Sequence, residues 1–207
     1  MANKLINFEP FIAPMAANLL AKKEGDDLET DEEFKSIVAI VFRDAVSQYM
    51  KDSKLYKVEV PIDIYQDVKR YDIKAPEGYS VSRVVQLKEN KINIPPECHD
   101  KKSITLTCCP NQDVDKAFYV EIAIQPKRIN GPCEFDECFV EDHYDAIETL
   151  MLSKMSEMTA RSWKAKTSGE MLRRRYNKMV QGNIHDDTTG GSCIKVKTAR
   201  LSDNATC

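Results

Sequence analysis

Apolar residues recur at three- and four-residue spacing over 34–49 and at every second position over 58–64, so the chain passes from helix to strand within a few residues. Phe34, Ile37, Val38, Val41, Ala45 and Tyr49 form one stripe that faces a core, while Glu32, Lys35, Arg43 and Lys51 are left for water. Thr30 with Glu33 has the spacing of a capping box, and the helix should end near 51–53. From there Val58, Val60, Ile62 and Ile64 alternate with Lys57, Glu59, Pro61 and Asp63, the pattern of a half-buried strand. Pro61 gives no ladder hydrogen bond, which predicts an edge or bulged strand.

The same patterns extend in both directions. A short first helix is expected over 8–23, with Phe11, Met15, Leu19 and Leu20 on one side and Pro14 early, followed by an acidic turn at 25–27. Further strands are expected over 70–74, 80–88, 91–94, 103–109 and 117–125, with turns at 76–78 and 89–90. Short, closely spaced strands of this kind suggest an antiparallel meander forming a sandwich or partial barrel. Pro126 closes the last of them. Helices return near Glu137, with Val140, Ile147, Leu150, Met151, Met155 and Met158 as the stripe. A final helix is expected over 163–181, using Met171, Leu172, Tyr176 and Met179, with Gly182 as its stop. Beyond it, Gly190 and Gly191 make a hinge, and Ile194 and Val196 alternate with Lys195 and Lys197 like a strand with no partner in its own chain. The fold class is therefore α+β: an antiparallel helical bundle (1–54 and 134–184), an inserted antiparallel β region (55–133) and an extended C-terminal arm (185–207).

Composition narrows the setting. The chain has 207 residues, 42% of them hydrophobic and 30% charged, which suits one core with a satellite subdomain and is too apolar for general disorder. A net charge of -3 does not draw it to nucleic acid or to an anionic membrane. No window approaches the roughly 18 consecutive apolar residues of a membrane span. Residues 1–8 lack the basic-then-apolar order of a signal peptide. A soluble protein that stays in the cytoplasm is the expectation. Seven cysteines, an odd number, with Cys108 and Cys109 adjacent in a strand, fit free thiols better than a disulfide framework.

The side chains that carry chemistry are scattered. His99, His143 and His185 fall in a loop, a helix and the tail, none within a serine or cysteine nucleophile motif. A phosphate loop is missing too, because Gly190 and Gly191 are followed by Ser192 without the required lysine. Cys133, Cys138 and His143, joined by Cys98 or His99, are zinc-ligand types at gaps too wide for a structural site. Glu134 and Asp136 are paired carboxylates with no base or metal beside them. The expectation is no catalytic residue, no metal and no cofactor, hence no enzyme. Arg173, Arg174, Arg175 and Lys178 make a basic patch that cannot occupy a single helix face. It reads as a solvated helix surface or as an inter-subunit ion pair with Asp26, Asp27 or Asp31 of a neighbour.

The order of segments resembles that of the head-to-tail adaptor (connector) proteins of tailed bacteriophages, of the short-tailed type. The stretches that carry the resemblance are FRDAVSQYMKDSKLYKVEVPIDI from Phe42, YDIKAPEGYSVSRVVQLKENKI from Tyr71, VEIAIQPKRINGPCEFDECFVEDHYDAIETLMLSKM from Val120, and the segment at Trp163. The resemblance covers about 8–184. The resemblance implies helices, a β insert, returning helices and an extended arm. It also implies a structural virion protein at the head-tail junction, made in the host cytoplasm. A ring of about twelve copies would join the portal protein to a tail or nozzle protein, and DNA would slide through without sequence-specific binding and without any membrane. In that setting the arm residues Cys193, Ile194, Lys195, Val196, Lys197 and Leu201 would contact the portal or a neighbouring subunit. The other reading left open is a tail or baseplate binding module, a β domain carried on a helical stalk.

Overall fold

The computed structural model describes residues 5–21, 27–89, 92–94, 98–99, 103–106, 114–127, 134–158 and 163–188. In chain order the elements begin with β1 (Leu5–Ile6), a 3-10 turn (Glu9–Phe11), α1 (Ile12–Asn18), β2 (Leu19–Ala21) and α2 (Glu32–Ser53). Strands β3 (Lys57–Ile64), β4 (Arg70–Asp72), β5 (Tyr79–Glu89), β6 (Ile92–Ile94), β7 (Cys98–His99), β8 (Ser103–Thr105) and β9 (Val114–Pro126) follow. The chain closes through β10 (Phe135–Asp136), α3 (Glu137–Asp142), α4 (Tyr144–Ser156), β11 (Trp163–Ala165) and α5 (Gly169–Thr188). This is an α+β protein. Its described residues divide into two compact units, one within Met1–Leu55 and Pro126–Ser192, the other within Tyr56–Gln125.

Helix α2 is the axis of the first unit. All six positions of its apolar stripe are buried, and Phe42, Val46 and Met50 widen that face. Its start differs from the capping-box expectation. Asp31 is the N-cap, its carboxylate accepting from the amides of Glu33 (2.8 Å) and Phe34 (3.3 Å), while the Thr30 hydroxyl turns back to the Asp27 carbonyl. At the other end Lys54 takes the left-handed conformation (φ 58°), and its amide donates to Met50. Glycine reaches that conformation without the strain a side chain brings. Lys54→Gly should therefore raise the stability of this unit by about 0.5–1 kcal/mol in chemical denaturation.

Aromatic rings run along α2 and tie both ends of the chain to it. Phe34 meets Trp163 edge-on at 5.3 Å. Phe42 lies 5.1 Å from Phe11 and 5.7 Å from Phe135, and Phe11 stacks on Tyr144 at 4.6 Å. Tyr49 sits among Phe139, His143 and Tyr176 at 5.9, 5.0 and 6.4 Å. His143 is thus a packing histidine between α3 and α4.

Two short antiparallel ribbons complete the unit, and both correct the helix boundaries expected from periodicity. Leu19–Ala21 pairs with Trp163–Ala165, so the first helix stops at Asn18 and the last begins at Gly169, not near Trp163. Short apolar runs fit either period, and here the cross-chain partner decides. Trp163 Nε1 also donates to the Met155 carbonyl at 3.3 Å, which fixes the strand over the end of α4. Leu5–Ile6 pairs with Phe135–Asp136, and Asp136 caps α3 by accepting from the Phe139 amide. Met158 lies beyond α4, and Met171 is exposed on α5, so neither belongs to its expected stripe. Helix α5 also continues through Gly182 to Thr188, past the expected arm boundary at 185. Nothing lies within 4 Å of a Cβ built on Gly182, so that residue neither packs closely nor breaks the helix.

The second unit holds a four-stranded sheet in the order β3-β9-β5-β6 and a three-stranded sheet in the order β4-β8-β7. It is not a simple meander, because β9 returns from far along the chain to lie between β3 and β5. The β3–β9 register runs from Lys57 opposite Ala123 to Ile64 opposite Val114, with an irregularity between Ile62 and Ile64. As Pro61 demands, β3 is an edge strand. The central β9 buries Val120, Ile122 and Ile124, with Glu121 and Ala123 also covered on the other side. Cys108, Cys109 and Cys133 lie outside the described residues, as do all the arm residues from Cys193 to Leu201.

Candidate functional site

The helical unit carries a cleft of about 350 Å³, and four separated stretches of sequence build it. Asn18 and Leu19 come from the junction of α1 and β2. Asp145, Glu148, Thr149 and Leu152 come from α4, Ala165 and Thr167 from the β11 turn, and Met171, Leu172 and Arg175 from α5. Asp145, Glu148, Thr149 and Leu152 stand at i, i+3, i+4 and i+7, so α4 presents them on one face. The ribbon of β2 and β11 forms the far wall. That ribbon is tied down by Lys166, whose ammonium donates to the Ala17 carbonyl. Ser153, whose hydroxyl donates to the Gly169 carbonyl at 3.1 Å, sets the start of α5 against α4.

The lining is apolar along Leu19, Leu152, Ala165, Met171 and Leu172, with charge on one side. Burial, helped by the nearby Asp145 carboxylate, pushes the Glu148 carboxyl above the usual range, and the Arg175 guanidinium opposes this. Burial likewise raises the Tyr144 hydroxyl, with Glu148 and Asp145 adding to it. The side chain of Glu148 is thus held charged at a cost. A raised folded-state value means that this penalty is absent in acid and grows as pH rises through the titration of Glu148. Glu148→Gln should raise the melting temperature at pH 7, with the gain shrinking toward pH 4; a lower melting temperature at pH 7 would contradict this.

Other candidate residues fall elsewhere. The three arginines point to three surroundings. Arg173 lies within electrostatic reach of Tyr176 beside Asp52, Arg174 pairs with Glu170 at 2.6 Å within its own helix, and Arg175 enters the cleft. Arg174 and Lys178 are exposed. Cys138 is exposed on α3, Asp136 is committed to its cap, and no group of three His, Cys, Asp or Glu among the described residues is placed to hold a metal ion. Among the described residues no helix is long and apolar enough to cross a membrane. Sequence periodicity missed the cleft; the available signal was two carboxylates, Asp145 and Glu148, in the first half of the return helix.

In the second unit the exposed Tyr65 and Val68 stand on a loop stapled by one buried hydroxyl. Tyr71 Oη donates to the Val68 carbonyl at 2.8 Å and accepts from the Tyr65 amide at 3.1 Å, and Asp67 turns the chain with φ 60°.

Comparison of the sequence with known proteins finds no matching family model and no matching curated protein.

Proposed function

We propose that the chain is a structural virion protein, a head-to-tail adaptor whose copies form a ring between portal and tail and extend the DNA channel. The observation that supports this reading most is the way the helical unit is assembled. Its helices come from both halves of the chain, Phe42 of α2 packs against Phe11 of the 3-10 turn and Phe135 of β10, and the β unit leaves and re-enters as one excursion. Helices that can stand side by side suit a ring, in which each subunit needs two different faces. The exposed cations Arg174 and Lys178 on α5, and the exposed acids Glu29, Glu32 and Glu33 at the start of α2, supply charges of opposite sign for such a contact. The arm with Ile194 and Val196 would reach the portal or the next subunit as an added strand.

A chain ending at Gly190 should keep its helical circular dichroism and lose portal binding. Arg174→Glu with Lys178→Glu should weaken assembly without unfolding the chain. Retained binding by the first and retained assembly by the second would overturn the reading.

The second reading is a tail or baseplate binding module, and the stapled loop with exposed Tyr65 and Val68 favours it. Its mark is that Tyr65→Ala with Val68→Ser loses a tail partner while portal binding is unchanged.

A further inference from the structure

We propose that the outer edge of β3 pairs with β3 of a second copy of this chain, antiparallel about a two-fold axis at Val60. Among the described residues the ladder partner of β3 is β9, on one side. The backbone sets which groups face the other side. The Ile124 amide donates to the Tyr56 carbonyl at 2.9 Å, in a register that places Lys57 opposite Ala123. Hydrogen-bonded pairs recur at every second residue of an antiparallel ladder, so Val58, Val60 and Ile62 turn their amides and carbonyls toward β9. Lys57, Glu59, Pro61 and Asp63 turn theirs toward the edge. Pro61 therefore costs β3 no bond to β9, and the donor it lacks belongs to the outer edge. The apolar face of the strand is also incompletely covered: Val58, Val60 and Ile62 are only half-buried, although Ile64 is 2% exposed.

Charge selects one register. Outward-turned residues can bond only to outward-turned residues, which leaves a short series of antiparallel pairings. Centred on Glu59, two copies set Glu59 against Glu59, and centred on Pro61 they set Glu59 against Asp63. Both place carboxylates directly opposite each other, which opposes pairing. Centred on Val60, Lys57 of each copy faces Asp63 of the other, and Glu59, already held by Lys88 at 2.7 Å, faces Pro61. The amides of Lys57, Glu59 and Asp63 then meet the carbonyls of Asp63, Pro61 and Lys57 of the second copy. On the other face Val58 meets Ile62 and Val60 meets Val60, so the half-buried row continues into a row of the same kind. Registers farther from this centre pair too little of the strand. Charges and a proline on an edge strand keep most other strands away. Here the same residues admit a second β3. The inference does not rest on the adaptor reading, because such a pair is complete at two copies, whereas a ring takes a head-to-tail contact.

The complete chain, its Lys57→Asp variant, its Asp63→Lys variant and an equal mixture of the two variants test it. Circular dichroism establishes that each folds. Mass is followed by analytical ultracentrifugation over a hundredfold range of concentration, and deuterium exchange of the β3 amides by NMR at both ends of that range. The native chain should pass from one copy to two. The amides of Lys57, Glu59 and Asp63 should exchange several-fold more slowly at the high end, with those of Val58, Val60 and Ile62 little changed. Each variant alone sets like charges opposite each other and should lose the pairing. Mixing the variants should restore it, because each offers the other the opposite charge at both ends of the strand. A native chain with one mass and the same exchange at every concentration would overturn the proposal. So would association that both single substitutions leave intact, or a mixture that stays unpaired. If a variant does not fold, the exchange of the three outward amides in the native chain decides alone.

Discussion

Replacing Phe42 by alanine should destabilise the helical unit by about 3–5 kcal/mol. The ring is 1% exposed and bridges three separate parts of the chain, with Phe11 of the 3-10 turn on one side and Phe135 of β10 on the other. The cost combines the lost transfer of a large apolar side chain with a cavity that α2, a 22-residue helix, cannot collapse to fill. Aromatic pairing is lost twice, each pair contributing about 0.5–1.5 kcal/mol beyond burial. Phe42→Leu keeps most of the volume and should cost clearly less. Trp163 is the only tryptophan and is buried against Phe34 in this same unit, so its fluorescence in a denaturant titration reads this unit directly. A loss below about 1 kcal/mol for Phe42→Ala would mean that the terminal segments are not packed on α2 as described.

The second large effect belongs to the β unit. Lys88 on β5 lies 2.7 Å from Glu59 on β3 and 2.7 Å from Glu121 on the central strand β9, and Gln86 donates to Glu121 as well. Glu121 is 8% exposed. Burial works against its charge, but the hydrogen bonds from Lys88 and Gln86, with the fields of Lys88 and Lys57, more than offset this and hold its carboxyl below the usual value. Lys88 is held above its usual value because the two glutamates outweigh its own desolvation. Lys88→Ala therefore leaves a nearly buried carboxylate without its cation, and should cost about 2–3 kcal/mol, below the figure for a fully buried pair because Lys88 is partly open to water. The pH dependence has a definite sign. The stabilisation at Glu121 is complete above its usual value of 4.5 and is lost as pH falls through the lower folded value. The penalty of Lys88→Ala should accordingly shrink in acid. Lys88→Met combined with Glu121→Leu removes both charges and should recover most of the loss. Exchange of the β9 amides with deuterium at pH 7 and at pH 4 measures each variant, and an equal loss at both pH values would contradict the ion-pair account.

What was legible in the sequence was whatever a long run of one period could specify. The stripe from Phe34 to Tyr49, the strand from Val58 to Ile64 and the edge character imposed by Pro61 all follow from local spacing, and the structure has the buried stripe and the edge strand, with Ile64 alone of the four alternating residues buried. Where a partner distant in sequence decides, local spacing fails. The segments at Leu19 and Trp163 both read locally as parts of helices, and only the pairing of Leu19–Ala21 with Trp163–Ala165 makes them strands. The return of β9 between β3 and β5 is equally invisible to a reading of turns, which leads toward a meander. Thr30 lost the cap to Asp31 because a carboxylate one residue closer to the helix accepts from two amides. The cleft is the extreme case. Its lining comes from four stretches between Asn18 and Arg175, and the only local trace was a pair of carboxylates in the first half of the return helix.

The adaptor reading stands or falls on one association. The purified chain is weighed by light scattering behind a sizing column, alone and after mixing with portal rings of short-tailed phages. The account predicts a complex whose added mass corresponds to one chain for each portal subunit. A chain that elutes apart from the portal at every ratio would contradict it, and would leave the tail or baseplate binding module, with the exposed Tyr65 and Val68 as its contact, as the reading to pursue.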